Sequence, residues 1–329
     1  MRGVWVAKAR LWAALAAGLQ LAGCASFVPF QPSDKVLVRV ADKPEFYDVR
    51  PVAAAYARYA VIAAHAYDTP GGENRFGEAG RDARKAIAGW RVEKTWDKFG
   101  CPRDRVCEFY GGLSVKLWVQ RFQGVCRAAI IAFRGTDFTS YDDWVANFHW
   151  FHSGLGIYDQ YDQARDNIGA MVREAERRGC TGRIVAVGHS LGGGLAQHVA
   201  YAHPKIRTVY AFDPSFVVGI GDIAPELLAR NRQDRYFDYV YEYGEILAFP
   251  RFLVRLFHPY PAGNPRIRTG RFNTLSGTGL SRHRIEDLAK TMLELSRRPA
   301  AAGKDGASSA PRAGKRFDLN ARCPAPSAE

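Results

Sequence analysis

The stretch VAVGHSLGGGLAQ, residues 185–197, decides how the rest of the chain is interpreted. It places Ser190 in the pattern glycine, any residue, serine, any residue, glycine, after the β-branched run RIVAV and before a segment of helical composition. A serine at such a sharp strand-to-helix turn has a strained backbone, and the chain passes too closely for a β-carbon at Gly188 or Gly192. The pattern predicts a nucleophile at Ser190, with Gly193 and Gly194 permitting close helix packing. The alternative is a glycine-rich turn in which Ser190 only caps the helix.

A serine becomes a nucleophile when a histidine removes its proton and an acid orients that histidine. After a turn of this kind, the expected chain order is serine, acid, histidine. We favour His283 as the base, because it lies in a loop just before a helix, over His258, which lies in an aromatic, proline-bound turn. For the acid we favour Glu245, after the strand-like run DYVYEYG, and keep Asp213, after TVYAF, as the alternative. An aspartate before a proline also forms simple turns.

The rest of the chain is organised around an α/β pattern. With 329 residues and 47% hydrophobic content, general disorder is excluded and a large buried core is expected. Strand-like runs WRVEKTW, LSVKLWVQRF and CRAAIIAFRG come first, and alternating strands and helices follow. Such alternation predicts a mainly parallel sheet with helices on both faces. We assign residues 49–296 to this domain and residues 297–329, rich in Ala, Pro, Gly and Ser, to a disordered tail.

The first residues have the composition of an export signal. Residues 1–23 combine basic residues with an apolar run that is too short for a good membrane span, and their last three residues form LAGC with Cys24. This ending resembles the lipobox of bacterial lipoproteins, which implies cleavage before Cys24 and lipidation of that cysteine. Ala25 then favours sorting to the outer membrane, facing the periplasm or the surface. The alternative is an ordinary secretory signal with a chance cysteine, and in either case residues 24–48 are predicted to form a proline-spaced tether.

Charge and cysteine content limit the partners. The formal net charge is +13, but no nucleic-acid-binding motif accompanies it, so we expect no nucleic-acid partner. The cysteines have neither CxxC nor Cys/His spacing, and we expect no metal and no organic cofactor. Export permits disulfides, and Cys101, Cys107 and Cys126 lie close enough along the chain for one bridge among them. The sequence leaves the connectivity and the oligomeric state open.

Several segments together resemble the class 3 lipase family, the fungal-lipase-like branch of the α/β hydrolases. They are IIAFRGTDFTSYDDWVANF (130–148), FHSGL (151–155), IVAVGHSLGGGLAQ (184–197), YEYGEILAFPR (241–251) and SRHRIEDL (281–288), in the order in which the family has them. The resemblance implies the α/β-hydrolase fold. It also implies that Thr136 and the backbone amide of Leu191 form the oxyanion hole, and that the segment from Phe138 to Phe151 is a mobile lid over the site.

The sequence departs from the family at the acid. Where the family has a segment of the type FGSPRVG, this chain has FDPSFVVG, and the family's acid is aspartate rather than glutamate. The resemblance nevertheless implies a carboxylic ester hydrolase that acts on acyl esters or lipids through an acyl-enzyme on Ser190, with triglyceride and phospholipid both open as substrates. Two alternatives stay open: a catalytically inactive hydrolase fold serving as an envelope lipoprotein, and an acyltransferase or thioesterase that uses the same nucleophile.

Overall fold

The computed structural model describes residues 31–40, 43–68, 76–97, 99, 112–135, 158–261, 263–299 and 317–319. Its centre is a sheet that contains nine strands within these residues, in the order β2-β1-β9-β8-β7-β6-β5-β4-β3. The strands are β1 (Lys35–Val40), β2 (Lys43–Asp48), β3 (Trp90–Trp96), β4 (Val115–Phe122), β5 (Val125–Phe133), β6 (Ile184–His189), β7 (Ile206–Phe212), β8 (Tyr236–Glu242) and β9 (Arg266–Phe272).

The middle of the sheet is parallel and its two flanks are antiparallel. Strands β5 to β9 pair parallel in sequence order. The β3–β4–β5 meander closes one side, and the β1–β2 hairpin pairs with β9 on the other. The turn between β4 and β5 has Gln123 and Gly124 at positive φ, as the sequence FQG predicts for a hairpin. Because parallel strands end at the same edge, the loops after β6, β8 and β9 converge there.

Helices cover both faces of the sheet, as the alternation of strands and helices predicts. The described helices are α1 (Val49–His65), α2 (Gly80–Ala86), α3 (Gln160–Arg177), α4 (Leu191–Ala202), α5 (Pro225–Asn231), α6 (Ala248–Phe257) and α7 (Ile285–Arg297). One core packs α1 and α7 against one sheet face, and the other packs α3 and α4 against the opposite face. Neighbouring residues of β5 divide between the two cores: Ile130 belongs to the first and Ile131 to the second. The predicted α/β-hydrolase architecture is therefore confirmed.

The predicted tether is not a tether in its second half. The structure places Lys35–Val40 and Lys43–Asp48 in the sheet, where β1 pairs with both β2 and β9. Val36 and Val38 are buried in the core on the α1 side, and this apolar alternation outweighs the nearby prolines. The folded body therefore begins before residue 49, and only residues 31–34 of the described part of the predicted tether lie outside a strand.

One further expectation is tested only in part, and another needs correction. The described disulfide joins Cys126 to Cys180 across 54 residues of sequence, so a bridge among Cys101, Cys107 and Cys126 cannot involve Cys126. Cys101 and Cys107 lie outside the described residues. In the predicted tail, Phe317 packs edge-on against Tyr47, and Arg268 donates hydrogen bonds to the carbonyls of Asp318 and Leu319. Residues 317–319 are thus held on the domain by aromatic and polar contacts that a low apolar content does not indicate.

Candidate active site

Ser190 lies at the turn between β6 and α4, at the edge where the parallel strands end. Its backbone has φ 55° and ψ −125°, a conformation that costs a non-glycine residue about 1–3 kcal/mol. Four backbone hydrogen bonds hold this conformation: the amide of Ser190 donates to the carbonyl of Phe212, and its carbonyl accepts from the amides of Gly193, Gly194 and Ser215. The Ser190 side chain makes no capping hydrogen bond. This disfavours the alternative in which Ser190 only caps the helix.

The glycines around Ser190 are required by close approaches of the backbone. A β-carbon on Gly188 would lie 2.1 Å from the carbonyl oxygen of Gly192, and one on Gly192 would lie 2.3 Å from that of Phe133. Behind the turn, a β-carbon on Gly193 would lie 2.9 Å from Pro214, and one on Gly194 would lie 2.6 Å from a carbonyl oxygen. The prediction that these four glycines permit the sharp turn and close helix packing is confirmed.

His283 and Glu245 are brought together by the loops after β9 and β8. His283 ends a short 3₁₀ turn just before α7, and its Nδ1 lies 2.7 Å from Oε2 of Glu245. Both side chains are buried, at 2% exposure or less. Because a carboxylate at Nδ1 fixes the orientation of an imidazole, Nε2 of His283 is the ring atom available for proton transfer. The other candidate base, His258, is exposed at the end of α6.

Glu245 is held in place by Arg251, for which no sequence pattern predicts a role. Nη1 of Arg251 donates to Oε1 of Glu245 at 2.8 Å, while Nε and Nη2 donate to the carbonyl of Pro214. The amide of Leu247 donates to Oε2 at 2.8 Å. Burial alone would raise the pKa of Glu245, but the charge of Arg251 and the contact with His283 outweigh burial and lower it. Glu245 is therefore ionised at neutral pH, as an orienting acid must be.

Asp213, the alternative acid, lies in the same cluster but in a different electrostatic state. It follows β7 at φ 39° and is fully buried. Its Oδ1 accepts from the amide of Glu242 at 2.9 Å, and its Oδ2 has no hydrogen-bond partner among the described residues. Burial raises the pKa of Asp213 well above its usual range, and the charge of Glu245 raises it further. The carboxyl group of Asp213 therefore keeps its proton to a higher pH than that of Glu245, whose pKa is lowered.

A second histidine supports the backbone of the His283 loop. Nε2 of His189 lies 2.8 Å from the carbonyl of His283, so it must carry the proton and donate. Nδ1 of His189 then accepts from the hydroxyl of Tyr67 at 2.9 Å. Burial lowers the pKa of His189 well below its usual range, and the nearby His283 lowers it further. Neutral His189 thus links Tyr67, two residues after the end of α1, to the His283 loop. Adjacency to Ser190 is the only sequence signal for this role.

The same cluster contains the kinds of side chain that bind metal ions. His189, Asp213 and His283 each bring one ligand-type atom within 4.8 Å of the others. His189 has no lone pair left for a metal, because one ring nitrogen carries the donated proton and the other accepts from Tyr67. Within the described residues, the donor set therefore fits a proton-transfer site better than a metal centre.

The remaining predicted residues divide between described and undescribed parts of the chain. Leu191 is the first residue of α4, where a backbone amide has no partner within the helix. Thr136, the predicted lid from Phe138 to Phe151, residues 1–23 and Cys24 lie outside the described residues. Among the helices that are described, none combines the length and the apolar composition needed to cross a bilayer.

Comparisons with known proteins place this geometry in context. Residues 58–212, just under half of the chain, match the family model of the Tle-like phospholipase domain, described as phospholipase-like. No curated protein sequence matches the chain significantly.

Among solved structures, the chain is similar to lipase II from Rhizopus niveus, with 17% identity, a TM-score of 0.41, and coverage of 68% of this chain and 79% of that one. It is also similar to the LIP2 lipase of Yarrowia lipolytica, with 14% identity, a TM-score of 0.38, and coverage of 58% and 72%. A thermostable esterase from Pseudomonas putida gives 14% identity, a TM-score of 0.36, and coverage of 73% and 95%. The family match over residues 58–212, together with the strand order described above, confirms the resemblance to the class 3 lipase-like α/β hydrolases that the motifs predict.

Proposed function

We propose that this protein is a serine hydrolase that cleaves acyl esters of lipids through an acyl-enzyme on Ser190. The proposal rests on one observation: the strained turn at Ser190 lies at the same edge of the sheet as the buried pair His283 and Glu245. In this pair, Nδ1 of His283 lies 2.7 Å from Oε2 of Glu245. The phospholipase-like family match supports phospholipids as the substrate class, with triglycerides as the second class to be tested.

In the proposed reaction, Nε2 of His283 removes the proton of the Ser190 hydroxyl as its oxygen attacks the ester carbonyl. Glu245 keeps its negative charge and stabilises the imidazolium that forms. The amide of Leu191 and, by resemblance, Thr136 donate hydrogen bonds to the oxyanion, each worth about 3 kcal/mol of barrier. The imidazolium then protonates the departing alcohol. Water, activated by His283, releases the fatty acid and restores the serine.

Labelling with a fluorophosphonate tests the nucleophile. The folded, detergent-solubilised protein should be modified at Ser190, and Ser190→Ala should lose both the label and ester hydrolysis. An unlabelled but folded wild type would refute the mechanism and favour the inactive-scaffold alternative. Product analysis with added alcohol separates a hydrolase, which releases fatty acid, from an acyltransferase, which forms a new ester.

Substrate class is tested with p-nitrophenyl esters of increasing chain length beside triglyceride and phospholipid. We expect phospholipid to be hydrolysed faster than triglyceride at equal surface concentration. Preference for the shortest soluble esters would contradict the lipid substrate while leaving the mechanism intact.

We also propose that Cys24 carries the lipid anchor of an envelope lipoprotein at the outer membrane. The LAGC ending supports this proposal, and the Cys126–Cys180 bridge is compatible with an oxidising compartment. In a host that processes lipoproteins, the wild type should incorporate labelled palmitate, and Cys24→Ala should not. Equal incorporation in both would refute the anchor.

A further inference from the structure

Helix α6 differs from an ordinary surface helix because a charged side chain is buried and large apolar side chains are exposed. Within Ala248–Phe257 the only buried residue is a charged one, Arg251. The largest exposed side chains are apolar: Phe252 is 57% exposed, Leu256 60% and Phe257 78%. At 100° per residue, these three lie between about 100° and 240° from Arg251, so they share the outward face of the helix. A soluble surface rarely presents such a cluster without a partner.

The chain around this face is strongly basic. The 40 residues from Ile246 to Ile285 contain seven arginines and no acidic residue. Three of these arginines pair with carboxylates outside the segment: Arg251 with Glu245, Arg268 with Asp238 and Arg284 with Asp287. On α6 itself, Arg255 lies over the ring of Tyr260 at 3.7 Å, and no carboxylate pairs with it among the described residues. In the His283 loop, Arg282 donates to the carbonyls of Tyr243 and Gly277 rather than to an acid. Arg255 therefore places, on the same helix as the apolar face, a positive charge that no described carboxylate pairs with.

The position of α6 connects this face to the candidate site. The helix begins three residues after Glu245, and Arg251 on its inner side donates to that carboxylate. The outward face thus lies at the sheet edge where Ser190 and His283 are found. A surface bound by this face would lie at the same edge of the sheet as Ser190.

We propose that the outward face of α6, formed by Phe252, Leu256 and Phe257, docks on a bilayer of anionic phospholipids. Apolar side chains on such a helix enter the boundary between headgroups and acyl chains, while arginines contact phosphates. Charge complementarity selects this occupant over a second copy of the chain, because a two-fold contact through the face would place two arginine-rich segments against each other. The proposed function is needed only to explain why lipid is brought to Ser190. Binding to the bilayer can be measured without any hydrolysis.

Vesicle sedimentation tests the docking, using the full chain with Ser190→Ala and Cys24→Ser so that neither hydrolysis nor lipidation contributes. The test variant is Phe252→Ser with Leu256→Ser. The matched control is Phe122→Ser with Val125→Ser, two residues of equal exposure (57% and 58%) at the opposite sheet edge, near Arg127.

Binding to phosphatidylglycerol vesicles should fall by about tenfold or more in the test variant and stay unchanged in the control. Binding of the parent should weaken at 1 M salt and on pure phosphatidylcholine. Equal binding by test and control variants, or a parent insensitive to both salt and headgroup, would overturn the proposal.

A local probe separates α6 from other parts of the chain that contact lipid. Phe257→Trp and Phe122→Trp each add emission to that of the seven native tryptophans. Brominated phosphatidylglycerol should quench the emission added at position 257 and spare that added at 122. Equal quenching at both positions refutes docking through α6, and so does a dimer that the test variant dissociates while vesicle binding persists. Hydrolysis of a soluble short ester is measured separately on the enzyme with Ser190 intact: its absence would refute the proposed function and leave the docking result standing.

Discussion

Glu245 and Asp213 lie in the same buried cluster, but their neighbours shift the pKa values of the two carboxyl groups in opposite directions. Glu245 faces Arg251 and His283, which lower its pKa despite complete burial. Asp213 has one backbone donor, and burial together with the charge of Glu245 raises its pKa. Placing two negative charges in one buried cluster is costly, so the group with the guanidinium partner keeps the charge. This difference allows the acid to be assigned by mutation.

Replacing each carboxyl group by its amide should have very different effects. Glu245→Gln removes the charge that orients and stabilises the His283 ring, and kcat on a soluble ester should fall by roughly 10³–10⁴-fold. Asp213→Asn keeps the shape of the side chain and the oxygen that accepts from the amide of Glu242, and Asp213 does not contact His283 as Glu245 does, so kcat should change by less than about threefold. Steady-state kinetics on one short-chain ester at pH 7.5 compares the two. A larger loss in Asp213→Asn than in Glu245→Gln would make Asp213 the acid.

At the scale of an element, the stability of the β6–α4 turn should depend on the absence of a β-carbon at Gly188. Gly188→Ala forces a methyl group to within 2.1 Å of a backbone oxygen of the nucleophile helix. We expect the free energy of unfolding to fall by about 1–3 kcal/mol or more, and ester hydrolysis to fall with it, because the turn holds Ser190. Gly182→Ala is the control, since a β-carbon there meets nothing within 4 Å. Equal urea midpoints for the two variants would contradict the packing described for the turn.

Glu242, at the end of β8, forms pH-dependent hydrogen bonds with the loop after β9. Glu242 accepts from the amides of Thr274 and Leu275, and burial raises its pKa to about 7. In the unfolded chain the same carboxyl loses its proton near 4.5. Between these values the folded state holds the extra proton, so Glu242 makes stability fall as pH rises through this window and level off above about 7.

Glu242→Gln should remove this pH dependence. The amide keeps an oxygen for the Thr274 and Leu275 amides and has no charge to bury. Between pH 5 and pH 8, the wild type should therefore lose on the order of 3 kcal/mol more unfolding free energy than the variant. Urea unfolding of both proteins at the two pH values measures the difference. Parallel pH profiles would show that Glu242 ionises at its ordinary pKa.

Most elements with an apolar pattern are predictable from the sequence, whereas the short alternating strand β1 is obscured by nearby prolines and elements stabilised by polar contacts are not predictable. The β-branched run RIVAV predicts strand β6, and the glycines that follow it predict the sharp turn at Ser190. Strand β9 was missed because its inward Arg268 is buried only through an ion pair with Asp238 of β8, which a hydropathy pattern cannot reveal. Arg251 was missed as the partner of Glu245 for the same reason: a buried arginine is recognised only once its carboxylate is placed.

At the scale of the whole molecule, the two edges of the sheet have separate tasks. The candidate site occupies the edge where the parallel strands end. The Cys126–Cys180 bridge lies at the other edge, joining the start of β5 to the segment just before β6. A covalent bond far from the chemistry constrains the unfolded chain more than it shapes the site. Stability and catalysis should therefore respond differently when the bridge is removed.

Cys126→Ala with Cys180→Ala should lower the free energy of unfolding by about 2–4 kcal/mol, the typical contribution of a disulfide. At a temperature where both proteins are folded, kcat on a soluble ester should be unchanged. Urea unfolding with and without reductant provides the control. Reductant should destabilise the wild type and have less effect on the double variant, in which only other cysteines remain to respond. A reductant effect of equal size in both proteins would mean that this bond does not stabilise the fold, and a large fall in kcat would mean that the two edges of the sheet are coupled.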